Sequence, residues 1–179
     1  MMISRCVVLV VWLVGLVMPL AAQATAGGPR PVVAVLNLRF EGRHANVLEP
    51  DDTAVVQSAT SRLLATLRAS DRLTLVDSAR VSDEVAAVAG GIPCGNACAI
   101  VVARQLGAQW VAKGTVTKTS SIIWVLAAEL FDVDTGRPVL TDGYELKGDA
   151  RTMAPAGARA FAQRIERAVA ERATAVGAP

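Results

Sequence analysis

A chain of 179 residues with 18 basic and 16 acidic side chains is nearly balanced in charge, so nothing in its electrostatics steers it toward nucleic acid or an anionic membrane surface. Its composition is 53% hydrophobic, inflated by an apolar amino-terminal stretch and by many alanines. With no internal repeat and no low-complexity block, it reads as one compact domain behind a leader.

The leader comes first. Arg5 gives it a positive start, Val7 to Leu20 form an apolar run broken only by Gly15 and Pro19, and Ala22-Gln23-Ala24 is an A-x-A cleavage signal, with Ala24-Thr25-Ala26 offering a second cut. The alternative is an uncleaved anchor, since the run approaches the roughly 17 residues that a short spanning helix needs. Pro19 and the small residues before the cut fit processing better. Cys6 precedes the apolar run with no lipobox before it, so no lipid anchor is expected. The expected organisation is a cleaved signal peptide over 1–24, a flexible linker over 25–30, a single α/β domain over 31–172 and a disordered tail over 173–179. Cleavage after Ala24 leaves 155 residues with 17 basic against 16 acidic side chains, enough chain to bury a core without staples. The expected location is periplasmic, with no membrane span after cleavage.

Pro31 to Phe40, PVVAVLNLRF, is β-branched and apolar and reads as a buried first strand. A polar loop to Pro50 leads to Asp51-Asp52, either of which suits a helix cap. In the helix that follows, Val56, Ala59, Leu63, Leu64 and Leu67 recur at helical spacing, with Gln57, Arg62 and Arg68 on the wet face. Arg72 to Asp77 reads as a short second strand. Asp77 or Ser78 caps a second helix through Val81, Val85 and Val88, stopped by Gly90-Gly91 and Pro93.

Asn96 is expected to cap a third helix over Ala97 to Leu106, with Ile100, Val101 and Leu106 inward and Gly107 as a left-handed exit. The pattern then turns to strands: Gln109 to Lys118, Ile122 to Val133, and Arg137 to Lys147, the last two joined by the turn signal Asp134-Thr135-Gly136. The apolar first half of IIWVLAAELFDV suits a strand covered on both faces. A last helix, from about Pro155 to Ala173, carries Ala158, Phe161, Ile165, Ala168 and Val169 on one side. The order is β-α-β-α-α-β-β-β-α: an α/β (α+β) fold with one mixed sheet of about five strands flanked by helices.

Particular phrases carry a resemblance. PVVAVLNLRF, ARQLGAQWVAKGTVTKTSS and ELFDVDTGRPV resemble the small periplasmic α/β domain of the TolB amino-terminal, CsgG and LpoB group. Cys94 with Cys98, Leu106-Gly107-Ala108, Gly114, Lys118, Ser120 and the exit Lys147-Gly148-Asp149 are similar to a family of exported bacterial proteins of unknown function. The resemblance covers residues 31 to about 170 and implies a non-catalytic role, docking on envelope proteins or building larger assemblies. The chain departs from the CsgG and LpoB pattern in lacking a lipidated cysteine.

Cys94 and Cys98 are the strongest chemical candidates, two of only three cysteines, four apart in an exported chain. In an oxidising compartment they read as a small structural disulfide, and the span across a turn-to-helix junction suits the usual Cα separation of about 4.4–6.8 Å. Two other readings stay open. Cys98 near a helix start would favour a thiolate and an exchange-active pair, although thioredoxin-like motifs have two intervening residues rather than three. Paired thiolates also suit a soft metal such as Cu(I), in the manner of the Sco-type chaperones, but those add a downstream histidine. The sole histidine here, His44, lies upstream and completes no site with Cys94 and Cys98.

His44 otherwise reads as a loop residue with no nucleophile motif beside it. There is no G-x-S-x-G, P-loop, H-E-x-x-H or C-x-x-C-H, so hydrolase, nucleotide-binding, metalloprotease and cytochrome readings lack support. Asp132 to Gly136 hints at a calcium loop but lacks the later ligands. Lys118-Thr119-Ser120-Ser121 reads either as a docking edge or anion contact, or as a polar hairpin with a solvated lysine. Trp110 and Trp124 read as core, or as partner anchors should either prove exposed beside a groove.

The expected function is a non-catalytic exported accessory or binding module, with no cofactor, docking on a periplasmic or outer-membrane protein. The candidate docking residues are Lys118, Ser120, Trp110 and Trp124. The alternative is a periplasmic thiol-redox or copper-handling protein acting through Cys94 and Cys98.

Overall fold

The computed structural model describes residues 29–42, 49, 51–120 and 122–176. The expected leader, most of the linker and His44 lie outside them. Ten elements follow in chain order. β1 (Val32–Val35), β2 (Arg39–Gly42), α1 (Asp52–Arg68), β3 (Thr74–Leu75) and α2 (Ser78–Ala89) make the first half, and α3 (Asn96–Gln105), β4 (Trp110–Lys118), β5 (Ile123–Asp132), β6 (Pro138–Lys147) and α4 (Ala150–Val176) the second. They build one mixed, six-stranded sheet in the order β3-β1-β4-β5-β6, with β2 also on β4.

The strand expected over residues 31–40 is two strands with a break at Leu36–Leu38. β1 pairs with the start of β4, Val35 opposite Ala112, and β2 with its far end, Arg39 opposite Thr115. The chain therefore spends one more residue than its partner across the break, as at a bulge. Leu36 turns into the core on one face of the sheet and Leu38 into the core on the other. The Leu38 amide leaves the ladder and donates to Thr60 Oγ1 at 3.2 Å.

β1, β3, β2 and β4 run parallel, and β5 and β6 are antiparallel additions. The crossover from β1 to β3 carries α1, and the return from β3 to β4 carries α2 and α3. Two parallel crossovers in opposite directions place their helices on opposite faces when both keep the usual right hand. One face is accordingly covered by α1 and α4 over Val33, Trp110, Ala112, Val116, Trp124, Leu126 and Leu130. The other is covered by α2 and α3 over Ala34, Val111 and Phe131.

The amphipathic reading of α1 holds, with Val56, Ala59, Leu63, Leu64 and Leu67 buried and Gln57, Arg62 and Arg68 exposed. α2 is capped as expected, Asp77 accepting from the Ala79 and Arg80 amides, and it ends on Gly90 at φ 57°. The phase of α3 differs: Ala99, Val102 and Ala103 face inward, while Val101 is 40% exposed and Ile100 and Leu106 only half-buried. Small residues let the helix lie close over Val111 and Phe131, and its aliphatics take the flanks. Its N-cap is Gly95, not Asn96. α4 begins at Ala150, five residues before the expected start, because Asp149 caps it through the Arg151 amide and the Thr152 hydroxyl. It runs on to Val176. No helix among the described residues is long and apolar enough to cross a membrane.

Candidate docking surface

The cysteine pair lies where α2 gives way to α3. Cys94 and Cys98 are joined by a disulfide with Cα atoms 5.2 Å apart. Cys94 is buried and Cys98 packs against the same core as Val81, Ala99 and Val102. With both sulfurs bonded, neither offers a thiolate ligand to a metal in this state. No group of three or more His, Cys, Asp or Glu side chains converges among the described residues.

Lys118 is neither a solvated hairpin lysine nor an exposed docking charge. Its side chain is 2% exposed, and Nζ lies 3.1 Å from both carboxylate oxygens of Asp52, itself buried at the start of α1, and 3.5 Å from Glu49. The ammonium also sits 5.3 Å from the ring centroid of Trp124, which meets Phe40 at 5.9 Å. Lys118, at the end of β4, faces the α1 side, and burial of that charge is tolerable only because a carboxylate of opposite sign meets it. Asp51 therefore stands at the cap position of α1 without a capping side-chain bond, while Asp52 is drawn inward to Lys118. Trp110 and Trp124 are 8% and 3% exposed, so neither offers its ring as an anchor on the surface. Ser120 accepts from the Ile122 and Ile123 amides and holds the hairpin turn. Of these residues the fold brings together Lys118 and Trp124, in a structural cluster.

The surface that is open lies on the other face. α2 and α3 cover β1, β3 and the start of β4, and then stop. Beyond Val111, β4 points Lys113, Thr115 and Thr117 to that side, and β5 points Ile123, Val125, Ala127 and Glu129 there. All are half-buried except Ala127, which is exposed. The expectation that β5 is covered on both faces thus fails outside Phe131, because α3 is too short to reach further. β6 forms the edge of the sheet beside β5, with Glu145 and Lys147 paired at 3.4 Å on the open side.

A groove of about 340 Å³ runs from this open strip under α2. Its walls are Leu36, Val81, Val85, Ile92 and Cys94, and its floor includes Lys113, Gly114 and Thr115. Gly114 is fixed by packing on the opposite face, where a Cβ would stand 2.8 Å from the Ala127 carbonyl oxygen and 2.9 Å from Leu38. Arg39 flanks the groove and donates to Glu41 at 2.8 Å. Lys113 donates to Asn96 Oδ1 at 2.6 Å, and partial burial pulls its amine below the usual lysine range, against the opposing pull of Glu129. Sequence reasoning missed both cations. The signal was the strict alternation Lys113, Thr115, Thr117 against Ala112, Gly114, Val116, which marks a strand with one uncovered face.

A single mixed sheet with two helices on one face and two on part of the other defines the chain as a small α/β domain, similar in fold to several solved structures. These include the LpoB C-terminal domain from Escherichia coli (20% identity, TM-score 0.50, 65% of this chain and 82% of that one). They also include the hypothetical protein CT253 from Chlamydia trachomatis (14%, 0.52, 78% and 98%) and TolB from Acinetobacter baumannii (13%, 0.50, 79% of this chain but 29% of that one). The chain belongs to the family described as Protein of unknown function (DUF2380), which matches residues 31–165. No curated protein matches the sequence.

Proposed function

We propose that this protein is a non-catalytic, exported module of the bacterial envelope that docks on another envelope protein through the uncovered half of its sheet. The observation that carries the reading is the open strip of β4 and β5, where Ile123, Val125 and Ala127 stand among threonines and paired charges with no helix of the described residues above them. A half-apolar surface with a polar rim matches the anatomy of a protein interface of modest strength. The resemblance to LpoB-like and TolB-like domains supports it at the level of fold, and the leader supports export to the periplasm as a cleaved, unanchored chain.

Affinity purification from the envelope tests the reading. The wild-type chain and an Arg62→Glu control on the outer face of α1 are expected to retain one partner that Ala127→Arg loses. Loss with the control as well, or retention by Ala127→Arg, contradicts docking through this strip.

A further inference from the structure

We infer that the groove under α2 receives an extended segment of the partner in which an apolar side chain stands beside an acidic one. This rests on the docking reading above and names what docks. The walls contributed by Leu36, Val81, Val85 and Ile92 are apolar, and Ile92 is 72% exposed, an aliphatic left in contact with solvent. The volume of about 340 Å³ lies at the lower end of the range for ligand sites, enough for a side chain or two rather than a folded element.

Charge decides the second half of the chemistry. Among the described residues, the ionisable groups lining the groove are Arg39 and Lys113, with no carboxylate; Glu41 and Glu129 lie beside the two cations, outside the lining. Lys113 has one proton committed to the neutral Asn96 amide, and the Arg39 guanidinium has one donor to Glu41. Both retain donors for an incoming carboxylate, and a guanidinium or ammonium in partly desolvated surroundings gains most from a partner of opposite sign. Thr115 belongs both to the groove lining and to the uncovered strip, opposite Ala127, so a segment seated in the groove has the sheet to continue along. That favours an internal Asp or Glu over a chain terminus.

The test is a titration of the leader-free protein, followed by amide NMR, with the capped pentapeptide Ser-Leu-Glu-Val-Ser and its glutamine and lysine analogues. Shifts confined to Leu36, Val81, Val85, Lys113 and Thr115 are expected. Affinity should fall at least about tenfold for the glutamine peptide and for Lys113→Met or Arg39→Gln, the loss that one charged hydrogen bond of about 1.5 kcal/mol implies. Val85→Asp, on the wall and away from the cations, should abolish binding while leaving the spectrum of β5 and β6 folded. No binding, equal binding of the three peptides, or shifts on another face overturns the proposal. If the peptides fail while Ala127→Arg still loses the envelope partner, the groove chemistry is wrong and the docking reading stands. If both fail, both are wrong.

Discussion

At the scale of the residue, the Lys118–Asp52 pair shows how a single charge is made tolerable inside the fold. Among the described residues, removing Lys118 leaves the buried Asp52 carboxylate with no cation beside it and the Glu49 amide as its remaining hydrogen-bond donor. Lys118→Met is therefore expected to lower stability by about 3–5 kcal/mol in chemical denaturation, and Lys118→Met/Asp52→Leu to recover most of it. A small loss for the single substitution would show that water reaches Asp52. Tyr144 gives a second reading, because it is the chain's one tyrosine. Burial, with help from its hydrogen bond to Asp142 at 2.9 Å, pushes the phenol up to about 12. Asp142 is held in turn by Arg164 at 2.8 Å. With the folded value above the unfolded one, this contribution to stability is complete below about pH 10 and is lost as pH rises toward 12. Tyrosinate absorbance should titrate near the upper value in the wild type and closer to the ordinary one in Asp142→Asn. The sequence singled out Lys118 and Trp124, but their partners lie far along the chain, Asp52 at a separation of 66 residues, and local patterning carries no record of such pairing.

At the scale of the element, the disulfide and Gly114 are the two points where the open side of the sheet is held in shape. The Cys94–Cys98 ring is short, so the chain-entropy account limits its contribution to about 2 kcal/mol. Cys94→Ser/Cys98→Ser should keep the overall fold and show faster amide exchange in the α2–α3 turn and the first turn of α3. Global unfolding of that variant would contradict a local brace. Gly114→Ala brings a methyl against the Ala127 carbonyl and Leu38, and overpacking of this kind costs about 1–3 kcal/mol, readable in the same denaturation experiment. Periodicity made the helices and the three long strands legible, since β-branched runs and helical spacing are local properties. The bulge at Leu36–Leu38 was not, because both leucines are apolar and only the two-sided core tells them apart. Nor was the phase of α3, where two of the three inward positions are alanines, Ala99 and Ala103.

At the scale of the whole molecule, the architecture is asymmetric. α1 and α4 cover one face of the sheet across β1, β4, β5 and β6, whereas α2 and α3 protect only part of the other. A protein that needed only stability would extend its cover; this one leaves Ile123, Val125 and Ala127 near the surface beside a groove with apolar walls and two cations. The fold class was legible in the order of elements. The open strip was legible only in the alternation that begins at Lys113, a pattern easily taken for ordinary strand patterning until the helices are seen to stop short.

Site-specific photo-crosslinking in living cells tests docking through this strip most directly. A photoreactive side chain is placed in turn at Thr117, Val125, Ala127 and Gly143 on the open side, and at Gln57, Ser58 and Arg62 on the outer face of α1. Adducts of one mass from the first set and none from the second are the predicted result. Adducts from α1 alone, or equally from both faces, would contradict it.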